Sequence, residues 1–250
     1  MDQFPRDEHR ISGYCEICKT DHSLGSSEAV PFCLDLMNEL DKAGRIDFAV
    51  AQEDADPACS AEPLFGQARG QMFGVMVYLD RTGERRTAHA FSGQYNGQWN
   101  APGWVPPLLD EDVFFSITAA TERRIKQLGR EMDAVGKDTD EYRSLFSERR
   151  RISRGLMREI HSAYMVRNFR GELKSMPEIA LTTGGLPTGT GDCCAPKLLN
   201  YAAENGFKPV SIAEFYYGME NRSGSRLHKH FYPSCPDKCG LILGYMLCGL

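Results

Sequence analysis

The chain has 250 residues, 42% hydrophobic and 25% charged, which is the usage of an ordinary globular protein. No apolar run reaches the ~20 residues that a membrane-spanning helix needs, and the first residues, MDQFPRDEHR, have no apolar signal-peptide core. We therefore expect a cytoplasmic protein without a membrane partner. Nine cysteines are many for a reducing compartment, where disulfides rarely persist, so the cysteines point to metal ligation or to burial.

The net charge of −5 is unevenly distributed along the chain. From Thr121 to Arg170 there are 13 lysines and arginines against 8 aspartates and glutamates, so this segment is basic and the rest of the chain is acidic. A basic segment of this kind is typical of an arm that binds a polyanion. A solvated helix face is the alternative interpretation.

The N-terminal sequence YCEICKTDH contains Cys15, Cys18 and His22 at the spacing of a zinc knuckle. A closed structural zinc site needs a fourth ligand, and only His9 and Cys33 are near in sequence. Cys15, Cys18 and His22 form one of two predicted metal sites, and the other is formed by cysteines of the C-terminal part. An exposed or partly buried pair of thiols is the alternative.

Segment 28–43, EAVPFCLDLMNELDKA, predicts a first helix, because its apolar residues recur at helical spacing and Gly44 follows as a stop signal. Strand, tight turn and strand are predicted over 71–93, on either side of RTGE. The Gly-, Pro- and Trp-rich segment 94–109 predicts an ordered loop without a regular element.

The basic segment predicts two long helices folded into an antiparallel hairpin. Apolar residues recur at three- and four-residue steps from Ile117 to Val135, and again from Tyr142 to Val166 after GKDTD. Arginines of the second helix would lie on the outside of the hairpin and contact RNA phosphates. These arginines are Arg143, Arg149, Arg150, Arg151, Arg154 and Arg158.

The C-terminal part predicts a helix, a strand and a second helix. A Gly/Pro/Thr-rich loop ends at Asp192, which can serve as the N-cap of a helix from Cys193 to about Glu204. A strand follows over 208–218, and Pro236 starts the final helix.

These elements predict an α/β (α+β mixed) fold with a small sheet flanked by helices. Regions 1–111 and 171–250 would form one domain, and 112–170 would be the inserted helical hairpin.

Three cysteines stand at the predicted helix starts of the C-terminal part. A thiol in the first turn of a helix faces unpaired N–H groups and the positive end of the dipole, which lowers its pKa. Cys193 starts the first helix, and Cys235 and Cys239 lie one helical turn apart at the start of the last. Three thiolates and one open position form the layout of a catalytic zinc site. The alternative is that these thiols are buried core residues, the role expected for Cys194 and Cys248.

The predicted order of elements resembles the plan of the zinc deaminases. It consists of a hairpin, a helix that starts with a zinc ligand, a strand, and a helix that starts with a cysteine pair. In that family a Glu that moves protons stands where this chain has Ala195, and two residues rather than three separate the cysteine pair. Asp192 and Glu214 are the nearest candidate replacements for the Glu. The alternative roles are a helix cap for Asp192 and an ion-paired strand residue for Glu214.

Four stretches resemble the long N-terminal region that precedes the catalytic domain in some RluA-type pseudouridine synthases. They read MFGVMVYLDRTGERRTAHAFSGQYNG, WVPPLLDEDVFF, TGDCCAPKLLNYAAENGFKPVSIAEFYYG and HFYPSCPDKCGLILGYML. The Arg-Leu-Asp motif of the synthase active site is absent, because Arg226-Leu227 is followed by His228. The resemblance implies a structured RNA as partner, such as rRNA or tRNA, and a separate synthase domain as a further partner.

The expected function is therefore a zinc-binding, RNA-associated accessory module without a synthase active site of its own. His228, Lys229 and His230, beside the predicted zinc site, are further candidates for RNA contact. The first alternative is a zinc-dependent, deaminase-like hydrolase acting on a nucleobase or nucleotide. The second is a thiol-based enzyme that uses Cys193-Cys194.

Overall fold

The computed structural model describes residues 9–182 and 184–250, in which helices flank small antiparallel sheets. This confirms the predicted α+β class. No helix of the described residues is long and apolar enough to span a membrane. The helices are α1 (Val30–Ala43), α2 (Glu111–Ala134), α3 (Asp140–Ala163), α4 (Met176–Ile179), α5 (Cys194–Asn205) and α6 (Gly240–Met246). The strands are β1 (Ile11–Cys15), β2 (Thr20–Leu24), β3 (Gln71–Leu79), β4 (Arg85–Phe91), β5 (Met165–Arg167), β6 (Leu173–Ser175) and β7 (Lys208–Tyr217).

The central sheet has the order β4-β3-β7 and is antiparallel throughout. The predicted hairpin forms because the carboxylate of Asp80 accepts hydrogen bonds from the N–H groups of Thr82 and Glu84, while Gly83 takes a φ of 84°. The helix predicted over 28–43 is α1, and Gly44 ends it in the left-handed conformation.

The sheet separates two apolar cores, because alternate side chains of a strand point to opposite faces. Val75 of β3 packs on the side of α1, whereas Met76 packs on the side of α5 and α6. On β7, Phe215 and Ile212 divide between the same two sides.

The helical hairpin predicted in the basic segment consists of α2 and α3, each 24 residues long. Asp110 and Thr139 cap the two helices with their side chains. Arg124 of α2 forms ion pairs with Glu131 of the same helix and with Glu148 of α3, which helps to hold the two helices together.

Helix α5 forms where predicted, but its N-cap is Cys193 and not Asp192. The last helix begins at Gly240 rather than at Pro236. The N–H of Gly240 donates to the carbonyl of Cys235, so residues 236–239 form a turn wider than that of an α-helix. Cys235 and Cys239 are therefore not separated by one helical turn, contrary to the prediction.

The N-terminal knuckle is a β-hairpin, β1–β2, which packs against α6. Two glycines make this close approach feasible. A Cβ added to Gly13 would lie less than 3.0 Å from the backbone of Gly244, and a Cβ added to Gly244 would lie 2.7 Å from the carbonyl carbon of Gly13. The first and last regular elements of the described chain are thus in backbone contact.

Candidate metal centre and basic surface

Four side chains that commonly bind metal ions meet between the N-terminal hairpin and the end of α6. They are Cys15, Cys18, His22 and Cys248, and their ligand atoms all lie within 4.8 Å of one another. The thiols of Cys18 and Cys248 are 3.2 Å apart. Three sulfur atoms and one imidazole nitrogen form a donor set that can hold a metal ion.

The hairpin geometry explains how the first three ligands converge. Cys15 is paired with Thr20 and Gly13 with His22, so Cys15 and His22 are diagonal neighbours on one face. The turn between the strands closes through a 2.8 Å hydrogen bond from the N–H of Lys19 to the carbonyl of Cys15. This turn brings Cys18 back towards Cys15.

The imidazole of His22 has an unsatisfied nitrogen atom. Its Nε2 atom is buried and has no hydrogen-bond partner among the described residues. A buried polar atom without a partner costs free energy, and such groups are rare in folded proteins. A metal ion in the cluster would supply the partner that Nε2 lacks.

The thiols of the cluster differ in acidity. For Cys15, burial disfavours the thiolate, but hydrogen bonds from the N–H groups of Cys18 and Ile17 and from the neighbouring thiols outweigh it and lower the pKa of Cys15. Burial and the adjacent thiols raise the pKa of Cys248 to about 12. One thiolate in this cluster therefore disfavours the ionisation of a neighbouring thiol. A bound cation would make several thiolates favourable together.

A third segment of the chain supports the cluster from outside. Arg170, just after β5, donates a 3.0 Å hydrogen bond from Nη2 to the sulfur of Cys18. The neighbouring N–H of Phe169 donates to the carbonyl of Cys248. Arg170 therefore orients one ligand and Phe169 the backbone of another, as second-layer contacts of metal sites do.

The fourth candidate ligand is neither of the two residues nearest in sequence. Cys33 is buried on the α1 side of the sheet, where its thiol faces the carbonyl of Ala213 at 3.5 Å and burial raises its pKa. His9 is outside the cluster. Cys248, expected only to pack, is buried and also completes the set.

The thiols of Cys193, Cys235 and Cys239 do not form such a group of three ligand atoms in the part of the chain that the structure describes. Among the described residues, the Cys15 cluster is the one place where three or more such ligand atoms lie within 4.8 Å of one another. The thiols of Cys193 and Cys239 do interact, and with burial this contact raises the pKa of Cys239. Cys235 does not join them, because the wide turn over 236–239 replaces the predicted helical turn.

The two candidate carboxylates have structural partners. Glu214 is buried, its Oε1 accepts a 2.8 Å hydrogen bond from the N–H of Ala195, and burial raises the pKa of Glu214 to about 7. The carboxylate of Asp192 accepts a 2.6 Å hydrogen bond from the hydroxyl of Tyr164 and does not cap α5. Asp192 and Cys193 line a cavity of about 610 Å³ that Lys238 also borders.

All six arginines predicted to contact RNA lie on α3 and are exposed. Arg143, Arg150, Arg154 and Arg158 follow one another at seven- and four-residue steps and therefore share one face of the helix. Arg143 is 3.4 Å from the carboxylate of Asp140. Within the described residues, the other five arginines form no ion pair, and these are Arg149, Arg150, Arg151, Arg154 and Arg158.

The basic and aromatic loop before Cys235 is partly occupied by contacts of the fold. Lys229 forms an ion pair with Asp41 at the end of α1. The Nδ1 atom of His228 accepts a 2.9 Å hydrogen bond from the N–H of Gly218. His230 is exposed and faces the carbonyl of His228. Of the three predicted RNA contacts in this loop, His230 has the most accessible side chain.

No family model, curated protein or solved structure matches this chain. The resemblances to the RluA-type synthases and to the zinc deaminases therefore stay predictions. The order of hairpin, helix, strand and helix is present in β3, β4, α5, β7 and α6, whereas a deaminase topology remains an expectation.

Proposed function

We propose that this chain is a zinc-binding, RNA-associated accessory module, in which zinc is structural and α3 supplies the RNA-binding surface. The convergence of Cys15, Cys18, His22 and Cys248 carries the zinc part of this proposal. Zinc is the metal that three thiolates and one imidazole suit best, since a tetrahedral set of sulfur and nitrogen ligands matches its preference.

A structural role for the zinc follows from the number of ligands. A catalytic zinc keeps one position open for water or substrate, whereas four protein ligands close the site. The ligands come from residues 15–22 and from residue 248, so the ion would join the N-terminal hairpin to the end of α6. Metal binding of this kind contributes directly to folding free energy.

The metal is tested by mass spectrometry of protein purified without added metal. We expect about one zinc per chain in the wild type, and little or none in Cys248→Ser. Cys235→Ser is the matched control, because Cys235 is half-buried, close in sequence and outside the cluster. Equal zinc in all three proteins would contradict the assignment of Cys248.

The RNA part of the proposal is carried by the five exposed arginines of α3 that have no acidic partner among the described residues. From Arg143 to Arg158 the shared face extends about 22 Å at 1.5 Å per residue, enough to follow several phosphates. Such contacts bind the sugar–phosphate backbone of the RNA and recognise little of its base sequence. Binding of tRNA and of an unstructured RNA, measured by fluorescence anisotropy, tests this surface.

A zinc-dependent hydrolase is the second candidate, and the cavity beside Asp192 and Cys193 favours it. A carboxyl group that titrates near neutral pH, such as Glu214, is suited to proton transfer. The four-ligand cluster includes neither carboxylate, so the accessory module agrees better with the geometry. Release of ammonia from cytidine or adenosine by the zinc-loaded wild type, lost in Glu214→Gln with zinc retained, would favour the hydrolase.

A further inference from the structure

A cavity of about 640 Å³ lies where the C-terminal half of α3 meets the segment after β6. Helix α3 contributes Arg154, Met157, Arg158 and His161 to its wall, and the opposite wall includes Ala180. This volume lies within the range of small-molecule sites, ~300–1,000 Å³. The cavity therefore has room for a ligand of nucleotide size.

The wall of the cavity is divided by chemistry. Met157 and Ala180, together with Leu186 on the glycine-rich loop, are half-buried and supply an apolar surface. Arg154 and Arg158 stand one helical turn apart and are exposed at the same cavity. No Asp or Glu is among the described residues that line it. Arg154 and Arg158, which form no ion pair with another described residue, therefore give this wall a positive charge.

A ligand that matches both parts combines an apolar body with an anionic group. Guanidinium groups bind phosphate oxygens through paired N–H donors, and two arginines a turn apart can hold one phosphate from two sides. A methionine side chain adapts to the shape of an aromatic ring and makes favourable sulfur–ring contacts. Inorganic phosphate by itself would leave the apolar surface uncovered.

His161 adds a buried polar side chain to the wall of the cavity. Its side chain is buried, and burial lowers the pKa of His161 although the nearby Asp192 opposes this shift. A neutral imidazole has one N–H donor and one acceptor nitrogen. It suits the edge of a nucleobase better than a second phosphate.

We propose that this cavity binds a nucleoside phosphate, with the phosphate on Arg154 and Arg158 and the base against Met157, Ala180 and Leu186. The inference rests on the proposed RNA-binding function and deepens it. Arg154 and Arg158 also belong to the basic face of α3, so an RNA strand that follows this face ends with a phosphorylated terminal nucleotide in the cavity. A free mononucleotide offers the same chemistry.

Calorimetric titration with AMP, UMP, adenosine and inorganic phosphate tests the site. We expect the nucleotides to bind at least tenfold more tightly than adenosine or phosphate, and at least tenfold more weakly to the Arg154→Ala/Arg158→Ala variant. The matched control is Arg123→Ala/Arg130→Ala, which removes two exposed arginines of α2 outside the cavity. Equal nucleotide affinity in the wild type and the Arg154/Arg158 variant would overturn the proposal.

Two RNA oligonucleotides, with and without a 5′-phosphate, separate the sources of the ligand. Displacement of bound AMP by the phosphorylated oligonucleotide alone supports a strand end, and failure of both to displace it assigns the cavity to free nucleotides. RNA binding without any nucleotide binding overturns the cavity proposal and leaves the proposed function intact. Nucleotide binding without RNA binding overturns the proposed RNA-binding function and leaves the cavity proposal intact.

Discussion

Gly13 and Gly244 touch through their backbones, where strand β1 crosses helix α6. A Cβ on either residue would come closer to the other segment than real Cβ atoms do. This contact places the last turn of the described chain beside the first hairpin. It explains how Cys248 reaches Cys15 and Cys18 across the whole length of the sequence.

Gly244→Ala is expected to lower the free energy of unfolding by about 3 kcal/mol, because the added methyl group overlaps the carbonyl of Tyr14 and neither backbone can move freely. It should also weaken metal binding by displacing Cys248. Urea unfolding and zinc content measure the two effects. Gly129→Ala, on α2 with open space around it, should leave both unchanged or raise stability by up to about 1 kcal/mol. Similar stability of the two variants would contradict the close contact.

Removal of the metal should loosen the two ends of the described chain before the central sheet. Chelation leaves the buried Nε2 of His22 unpaired and separates the hairpin from Cys248. Hydrogen exchange should therefore accelerate over 11–24 and 240–248, while β3 and β7 stay protected. Uniform acceleration across the sheet would show instead that the ion supports the whole fold, and no change would argue against a bound metal.

Local sequence patterns were sufficient for the elements that local chemistry determines. The β3–β4 hairpin is set by its RTGE turn, and α1 and α5 end at Gly44 and Gly206 in the left-handed conformation. The strands β5 and β6 were not predicted, since three residues carry too short a pattern.

Local patterns were not sufficient to predict the full cluster of Cys15, Cys18, His22 and Cys248. The knuckle spacing identified Cys15, Cys18 and His22, but Cys18 and Cys248 are separated by 230 positions, so no local spacing connects them. The helix-start argument for Cys235 and Cys239 fails because the turn over 236–239 is wider than an α-turn. Only the tertiary contact of β1 with α6 decides which cysteines meet.

Glu214 predicts a fall in stability as pH rises. Its pKa is raised by burial from an ordinary 4.5 to about 7 in the folded chain. The folded state therefore holds this proton more tightly than the unfolded state, and stability decreases between pH 4.5 and 7 and stays low above. The loss is roughly 3 kcal/mol at pH 8, from 1.36 kcal/mol per pH unit.

Glu214→Gln should remove this dependence and be more stable than the wild type at pH 8, because the amide oxygen can still accept from the N–H of Ala195 without a charge. Denaturant unfolding at pH 5 and pH 8 measures it. Glu204→Gln, at an exposed position of the neighbouring helix α5, serves as the control and should follow the wild type. A parallel pH profile of Glu214→Gln and wild type would rule out a buried, titrating carboxyl group.

The basic face of α3 predicts a defined dependence of RNA affinity on salt. Each phosphate contact releases counterions and contributes about 0.7 to 0.9 to the slope of log affinity against log salt concentration. Replacing Arg143, Arg150, Arg154 and Arg158, which share this face, by alanine should therefore reduce the slope for tRNA by about 3 and weaken binding similarly for unrelated sequences. Arg222→Ala, an exposed arginine of the loop after β7, should leave the slope unchanged. An unchanged slope in the fourfold variant would place the RNA contacts elsewhere on the molecule, since alanine side chains cannot displace counterions from RNA phosphates.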